Sequence, residues 1–176
     1  MKRCAAKEAH TFAVCVRDVQ PTDRARLSEL YEQFEPRGGF LGLPPRTDAG
    51  GWLDRLAECP AVLAEKEGQA VAHGVLCPQG DAAEIVVFVH QDHRSRGLGR
   101  RLMQALLDRA RELGIRRAWG ITERDNLRML RLVRSLGFLP GTEMDVFELG
   151  LHPPHPRQLG PEREPGNVLR QERKAA

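Results

Sequence analysis

The feature that most limits how this chain can fold is a short basic segment that contains two glycines. It reads Arg94-Ser95-Arg96-Gly97-Leu98-Gly99 and lies between an apolar run at 82–89 and an apolar repeat at 98–113. The run predicts a buried strand, and the three-to-four-residue spacing of the repeat predicts an amphipathic helix. A helix that begins at such a junction points unpaired backbone N–H groups and its positive dipole end at one place. The segment therefore predicts an anion-binding turn.

The composition of this turn narrows the kind of anion. Gly97 and Gly99 allow the backbone to approach a phosphate closely. Positive charge is added by four arginines, Arg94, Arg96, Arg100 and Arg101. A dinucleotide-binding turn would have a third glycine where this chain has Leu102, and the Gly-Lys-Ser/Thr of a nucleotide triphosphate loop is absent. We therefore expect a different phosphate-bearing polyanion.

The rest of the chain predicts a mixed sheet covered by helices. Strand patterns occupy 12–17, 61–66, 69–77, 82–89, 117–121 and 143–151. Helix patterns begin at Thr22 or Asp23, near Trp52, at 98 and at 126. Hairpin strands followed by crossover helices indicate an α/β (α+β) fold with helices flanking a mixed central sheet. We expect a mobile N-terminal arm at 1–11, one domain at 12–151 and a disordered tail rich in proline and charge at 152–176.

Composition argues against several classes of function. The chain has 176 residues and a net charge of +3 from 27 basic and 24 acidic residues, which is too balanced to predict nucleic-acid binding. No apolar run reaches the ~20 residues of a membrane span. No apolar signal segment follows the charged N-terminus, so a cytoplasmic protein is expected. Four scattered cysteines without a CxxC pair predict no metal site.

Two segments carry a resemblance to a known family. The segment 94–99 matches Gln/Arg-x-x-Gly-x-Gly/Ala, and Asn126 opens a helix pattern that ends in Gly137-Phe138. Both resemble the coenzyme A segments of the GCN5-related N-acetyltransferase (GNAT) superfamily, and the resemblance covers 12–151. It implies an N-acetyltransferase with acetyl-CoA as co-substrate. The strand at 83–89 is most similar to the protein lysine acetyltransferases, both the histone-acetylating branch and the bacterial Pat-type enzymes. The segments 16–23 and 39–42 are also similar to the Pat-type bacterial protein lysine acetyltransferase domain, which is the closest in pattern.

The resemblance assigns roles to particular residues. The cofactor phosphates would bind the turn and the start of the helix, namely Arg94, Ser95, Arg96, Gly97, Leu98, Gly99 and Arg100. The pantetheine arm would pair with the backbone of Val87, Phe88 and Val89, with the Phe88 N–H stabilising the oxyanion. Ordinary sheet pairing is the alternative for these strand residues. Asn126 would steady the same arm, and it is equally suited to cap a helix.

Glu84 is the candidate general base. It is the only carboxylate in a strand otherwise built of Ala, Ile, Val and Phe, and burial there raises the pKa of a carboxyl group. A lysine amine has a pKa of about 10.4, so making it neutral at pH 7 costs about 4–5 kcal/mol. A salt-bridged or edge-facing glutamate is the alternative. Many family members place a tyrosine as general acid four residues before Gly-Phe, where this chain has Val133.

The sequence leaves the acceptor open. A protein lysine is favoured by the similarity of the strand at 83–89, a small amine such as an amino acid is the alternative, and an acyl-CoA sensor without catalysis is a third reading. The segment 34–45 is expected to line the acceptor side, with a closed apolar pocket favouring a small molecule. Expected partners are acetyl-CoA and the amine acceptor, with a homodimer allowed and no nucleic acid or membrane. Trp52 and Trp119 are expected in the core.

Overall fold

The computed structural model describes residues 14–35, 44, 48–143 and 145–151. Its helices are α1 (Arg24–Glu32), α2 (Ala49–Leu56), α3 (Leu98–Glu112) and α4 (Leu127–Ser135). Its strands are β1 (Cys15–Asp18), β2 (Ala61–Lys66), β3 (Gln69–Gln79), β4 (Ala82–Val89), β5 (Arg117–Ile121), β6 (Leu139–Pro140) and β7 (Val146–Gly150). The predicted N-terminal arm and C-terminal tail, and the segment 36–43 of the acceptor side, lie outside the described residues.

The seven strands form one mixed sheet in the order β1-β2-β3-β4-β5-β7-β6. All neighbours are antiparallel except β4 and β5, which run parallel because α3 carries the chain back between them. This confirms the predicted fold class, a mixed central sheet flanked by helices. The six predicted strands are present within a few residues of their expected bounds. β6 was not predicted because its two residues are too few to show an alternating pattern.

α3 packs on one face of the sheet through aliphatic side chains. The buried positions recur every three or four residues, at Leu98, Leu102, Leu106 and Ala110, and none is more than 3% exposed. They join Leu76 of β3, Ile85 of β4 and Val133 of α4 in an aliphatic core. Full burial of one leucine contributes about 1.5–3 kcal/mol. This core therefore fixes α3, and the turn that precedes it, on the sheet.

α1 and α2 cover the opposite face through an aromatic core. The rings of Tyr31 and Phe34 both lie edge-on to Phe88 of β4, with centroids 5.4 Å apart in each pair. Trp52 of α2 lies 4.9 Å from Tyr31 between ring centroids, so it packs in the core as predicted. The Tyr31 hydroxyl makes a hydrogen bond of 2.7 Å with Nδ1 of His73 on β3. The aromatic core thus contains a buried polar pair.

An ion-pair network joins β1, β2 and the start of α1. Arg17 donates to both carboxylate oxygens of Asp23, at 2.6 and 2.8 Å, and to Glu65 at 2.7 Å. Asp23 is 1% exposed and also accepts the Gln20 N–H at 2.8 Å. The hydrogen bond from Arg17 lowers the pKa of Asp23 to about 2. Asp23, one of the two expected start positions, is the N-cap residue of α1, but its side chain makes no cap bond and instead anchors these elements to one another.

Candidate active site

The predicted anion-binding turn, residues 94–99, has a backbone geometry that suits a phosphate. A 3-10 turn at Gln91–His93 follows β4, and α3 begins at Leu98 with Gly97 as its N-cap. Gly97 has a φ of 78°, and a Cβ there would meet nothing within 4 Å. Ser95 also has a positive φ, of 61°. The N–H groups of the first turn of α3 have no partner within the helix. They therefore lie beside open space that an anion could occupy.

β4 and β5 pair only at their beginnings. The last register pair in the described residues joins Glu84 to Trp119, although β4 continues to Val89. Gly120 lies where the pairing stops. A side chain at this position would be too close to β4, because a Cβ there would lie 3.0 Å from the carbonyl oxygen of Ile85. The strands beyond this point form a wedge, with Glu84 at its narrow end and the anion-binding turn at the end of β4.

Alternate residues of β4 direct their backbone groups into the wedge. His90 donates its N–H to β3, and bonded residues alternate along an antiparallel pair, so Phe88 also directs its backbone to β3. Val87 and Val89 have the opposite direction, and the Val89 carbonyl accepts Nε of Arg94 at 3.0 Å. This corrects the expectation that the Phe88 N–H stabilises an oxyanion. The N–H of Val87 has the required direction, and Phe88 contributes its ring to the aromatic core.

A cavity of about 650 Å³ follows the wedge to the anion-binding turn. It brings together all the predicted site residues except Arg96, namely Glu84, Val87, Phe88, Val89, Arg94, Ser95, Gly97, Leu98, Gly99, Arg100 and Asn126. Arg128 and Arg131 of α4 also line it and were missed. Their spacing of three residues on one helix would have indicated a second basic wall. Trp119, expected in the core, is instead half-buried in the cavity wall.

The arginines of the turn and of α3 differ in what their side chains contact. The guanidinium of Arg94 donates to two backbone carbonyls and lies 5.4 Å from the ring centroid of Phe34. Arg100 donates to Oγ of Ser135 on α4 at 2.6 Å. Arg101 donates to a backbone carbonyl before β1 at 3.0 Å. These three arginine side chains already have protein partners, so we expect the backbone N–H groups of the turn to contribute more to anion binding than the side chains do.

Glu84 lies half-buried at the narrow end of the wedge and lines the cavity. Burial raises the pKa of its carboxyl group above the ordinary value. β4 is an inner strand, and no ion pair in the described part of the chain involves Glu84, so it is neither edge-facing nor salt-bridged there. Its register partner on β3 is Cys77, whose thiol pKa is raised to about 12, first by burial and then by a hydrogen bond with Cys59. Glu84 therefore has an uncharged neighbour.

Asn126 caps α4. Its Oδ1 accepts the N–H of Met129 at 3.2 Å, and its Nδ2 donates to Oγ1 of Thr122 at 3.1 Å. Of the two roles that the sequence left open, the structure contains the helix cap. Because Asn126 also lines the cavity, contact with a cofactor arm stays a prediction.

The one tyrosine of the chain does not line the cavity. Tyr31 is fully buried with its hydroxyl bonded to His73, and burial raises its pKa well above the ordinary value. Burial lowers the pKa of His73 to about 4, so the pair is uncharged at neutral pH. Val133, which is 6% exposed, is in the cavity wall where relatives of the resembled family have a tyrosine. The cavity therefore has no tyrosine that could act as a general acid.

Two further observations concern the residues that the structure describes. Among them, no group of three or more His, Cys, Asp or Glu side chains is placed to hold a metal ion. No helix in the same ranges is both long and apolar enough to cross a bilayer.

The chain is similar to acetyltransferases in sequence and in fold. The model of the acetyltransferase (GNAT) family matches residues 25–138. An L-methionine sulfoximine/L-methionine sulfone acetyltransferase of Salmonella typhimurium is 40% identical over 143 residues, which are 73% of this chain and 82% of that protein. The L-amino acid N-acyltransferase MnaT of Escherichia coli is 28% identical over 143 residues, 73% of this chain and 81% of that protein.

The fold of the chain is also similar to the folds of solved acetyltransferase structures, in agreement with these sequence matches. The GNAT domain of S. lividans PAT superposes with a TM-score of 0.67 and 23% identity, over 78% of this chain and 90% of that domain. The wedge, the anion-binding turn and the family match over most of the chain agree with one another. The chain belongs to the acetyltransferase (GNAT) family.

Proposed function

We propose that the chain transfers the acetyl group of acetyl-CoA to the amino group of a small amino-acid-like acceptor, with Glu84 as general base. The observation that carries the proposal is the wedge, which has Glu84 at one end and the anion-binding turn at the other, along one cavity. The backbone groups of Val87 and Val89 suit a strand-like pantetheine arm. The start of α3 suits the phosphates.

The chemistry requires a base where Glu84 lies. The acceptor amine is mostly protonated at neutral pH, and a carboxylate with a raised pKa accepts a proton more readily than an ordinary one. Glu84 takes the proton, directly or through water, as the nitrogen attacks the thioester carbonyl. The C–N bond forms, the C–S bond breaks, and the Val87 N–H stabilises the developing oxyanion. As the C–S bond breaks, the nitrogen loses its second proton to solvent. The thiolate takes up a proton from solvent, because no tyrosine lines the cavity and Tyr31 is bonded to His73.

Two observations support a small acceptor. By their names, the two relatives act on L-amino acids or on methionine derivatives. In addition, the part of the cavity wall made by Phe34, Phe88 and Trp119, which we call the acceptor wall, is aromatic and would suit an apolar side chain. A protein lysine, which the strand resemblance favours, is the competing acceptor. The assay below includes it.

The Glu84→Gln substitution tests the proposal. We expect kcat with acetyl-CoA and L-methionine sulfone to fall about 10²–10⁴-fold, because the variant cannot accept the amine proton. The Kd of acetyl-CoA, measured by calorimetry, should stay within about twofold, because the phosphate contacts are unchanged. Glu123→Gln removes another carboxylate of the cavity wall and should keep its turnover.

Two results would contradict this account. If Glu84→Gln keeps wild-type turnover, or if Glu123→Gln loses as much, then Glu84 is not the base. A lysine-containing peptide is assayed in parallel with L-methionine sulfone. Turnover of the peptide without turnover of the amino acid would assign the acceptor to protein lysines and leave the role of Glu84 to be judged on that substrate.

A further inference from the structure

A glutamine just before the anion-binding turn holds the chain that leaves α1. Gln91 donates through Nε2 to the carbonyl oxygen of Gln33 at 2.8 Å and accepts the N–H of Glu35 through Oε1 at 3.2 Å. One side-chain amide thus makes both bonds that a neighbouring strand would make to this stretch of backbone. Gln91 and Gln33 are 58 residues apart in the sequence. This contact therefore joins distant parts of the chain.

The first residue of the turn binds the same stretch. Arg94 donates through Nη2 to the carbonyl oxygen of Glu35 and through Nε to that of Val89. Its guanidinium also lies 5.4 Å from the ring centroid of Phe34, within the range of a cation–π contact. One guanidinium therefore joins the end of β4 to residues 33–35. The Arg94 side chain therefore contacts residues on the α1 side of the site, although Arg94 is the first residue of the predicted anion-binding turn.

The stretch that these two side chains hold is part of the acceptor wall. Phe34 is 4% exposed, lines the cavity and packs edge-on against Phe88. Phe88 lies on the same face of β4 as Glu84, because strand side chains alternate and the two are four residues apart. The position of Phe34 relative to the proposed base thus depends on contacts made by residues 91–94.

We propose that Gln91 and Arg94 form a latch that couples the anion-binding turn to the acceptor wall. Acetyl-CoA bound at the turn fixes residues 91–94, these fix residues 33–35, and the acceptor binds against the wall so positioned. The inference rests on the proposed acetyl transfer. Gln91 is a positioning residue, since its side-chain bonds reach only backbone and it lies outside the anion-binding turn. Loss of the latch should therefore affect the acceptor much more than acetyl-CoA.

Steady-state kinetics test the latch with Gln91→Ala and a matched control, Gln104→Ala, on the exposed side of α3. With L-methionine sulfone as the probe acceptor, Gln91→Ala should raise the acceptor KM about tenfold, a typical coupling between sites. The acetyl-CoA Kd should change by less than about threefold, and Gln104→Ala should change neither value. A Gln91→Ala variant that weakens both substrates equally, or neither, would overturn the latch.

Hydrogen exchange tests the latch without an acceptor. The Glu35 amide is bonded to Gln91, so it should exchange faster in Gln91→Ala than in wild type, and acetyl-CoA should slow it in wild type only. Equal exchange in the two proteins, or slowing by acetyl-CoA in both, would contradict the latch. If wild type does not bind acetyl-CoA in calorimetry, the proposed function fails and the coupling fails with it. That result is distinct from a bound cofactor that leaves Glu35 unaffected.

Discussion

The two faces of the sheet build their parts of the site in different ways. On the α3 face, the anion-binding turn consists of six consecutive residues, and its backbone forms the site through the positive φ of Gly97 and the start of a helix. On the α1 face, side chains from separate segments, Phe34, Phe88 and Trp119, form the acceptor wall. A backbone site of this kind depends on φ and on open space. A side-chain wall depends on the packing of residues that are far apart in sequence.

The interiors behind the two faces differ in the same way. The core under α3 is mostly aliphatic, with Phe138 as its buried aromatic residue, and such cores tolerate substitutions of similar volume. The α1 side buries Asp23 and His73, each with a specific polar partner. A buried polar group is costly when its partner is removed. Variants of the two faces should therefore separate loss of cofactor binding from loss of stability.

The largest effect is expected from Gly97→Glu, which alters the backbone site. A residue with a Cβ at a φ of 78° is strained by about 1–2 kcal/mol, and the added carboxylate would lie in open space beside the phosphates and repel them. We expect calorimetry to show at least a ~100-fold loss of acetyl-CoA affinity, equal to about 2.7 kcal/mol. If Gly97→Glu bound acetyl-CoA normally, the turn would not be the phosphate site.

Gly68→Glu is a matched control for this substitution. Gly68 lies in the turn between β2 and β3, has a φ of 80° and would also place a Cβ in open space. It is not in the cavity wall. The control carries the same strain and the same charge, so it should lose stability to a similar extent and keep its affinity for acetyl-CoA.

The α3 face could be predicted from the sequence because its signals are local. The turn at 94–99 and the apolar repeat of α3 are each visible in a short window. Glu84 is also visible locally, as a carboxylate within an apolar run, although its side chain lies on the face of β4 that carries Phe88. The contacts of the α1 face are not visible in this way. Tyr31 and His73 are 42 residues apart, and Gln91 reaches Gln33 across 58 residues. No periodicity encodes such pairs.

Two sequence expectations were wrong for a related reason. The direction of the Phe88 N–H depends on the register between β3 and β4, and a shift of one residue reverses it. The second expectation concerns Trp119, which is expected in the core from the sequence. It lines the cavity because β4 and β5 stop pairing at that position. Both errors arise from strand pairing, which a single strand pattern does not specify.

Asp23→Asn should give the largest loss of stability on the α1 face. The pKa of Asp23 is about 2 in the folded chain, against an ordinary value of 3.8. This shift corresponds to about 2 kcal/mol of stability, or roughly 4–8 °C in Tm for a chain of this size. Because the folded pKa is lowered, the contribution is present above pH ~4 and is lost as the pH falls toward about 2. Acetyl-CoA affinity should not change.

Denaturation at pH 7 and near pH 2 measures this contribution. Asp54→Asn is the control, since Asp54 also pairs with an arginine but is 68% exposed. An exposed pair of this kind contributes about 0–1 kcal/mol. If the two variants lose the same stability, or if the loss from Asp23→Asn does not diminish in acid, then the buried network does not stabilise this face as described.

Tyr31→Phe should have a smaller effect on the same face. It keeps the ring contacts with Phe88 but removes the partner of His73 Nδ1, which is buried. The expected loss of unfolding free energy is about 1–2 kcal/mol. A double-mutant cycle with His73→Phe should give a coupling of at least about 0.5 kcal/mol. No coupling would mean that the ring packing alone holds α1, and the contrast between the two faces would narrow.

The smallest effect, and the one with the opposite sign, is expected at Glu84. Burial raises the pKa of its carboxyl, so the folded chain favours the protonated form. The contribution of Glu84 to stability is therefore most favourable below its unfolded pKa of about 4.3 and is lost as the pH rises through the folded value. Glu84→Gln removes the ionisable group. We therefore expect a higher Tm than wild type at pH 8 and no difference near pH 4.

Thermal unfolding at both pH values, without acetyl-CoA, measures the difference. Glu148→Gln in β7 is the control at another half-buried carboxylate, which pairs with Arg117. A substitution that removes turnover and raises Tm identifies a carboxylate that the site keeps in an unfavourable environment because the chemistry requires it. A lower Tm for Glu84→Gln would identify a structural carboxylate instead. The wedge would then hold the cofactor, and another group would have to supply the base.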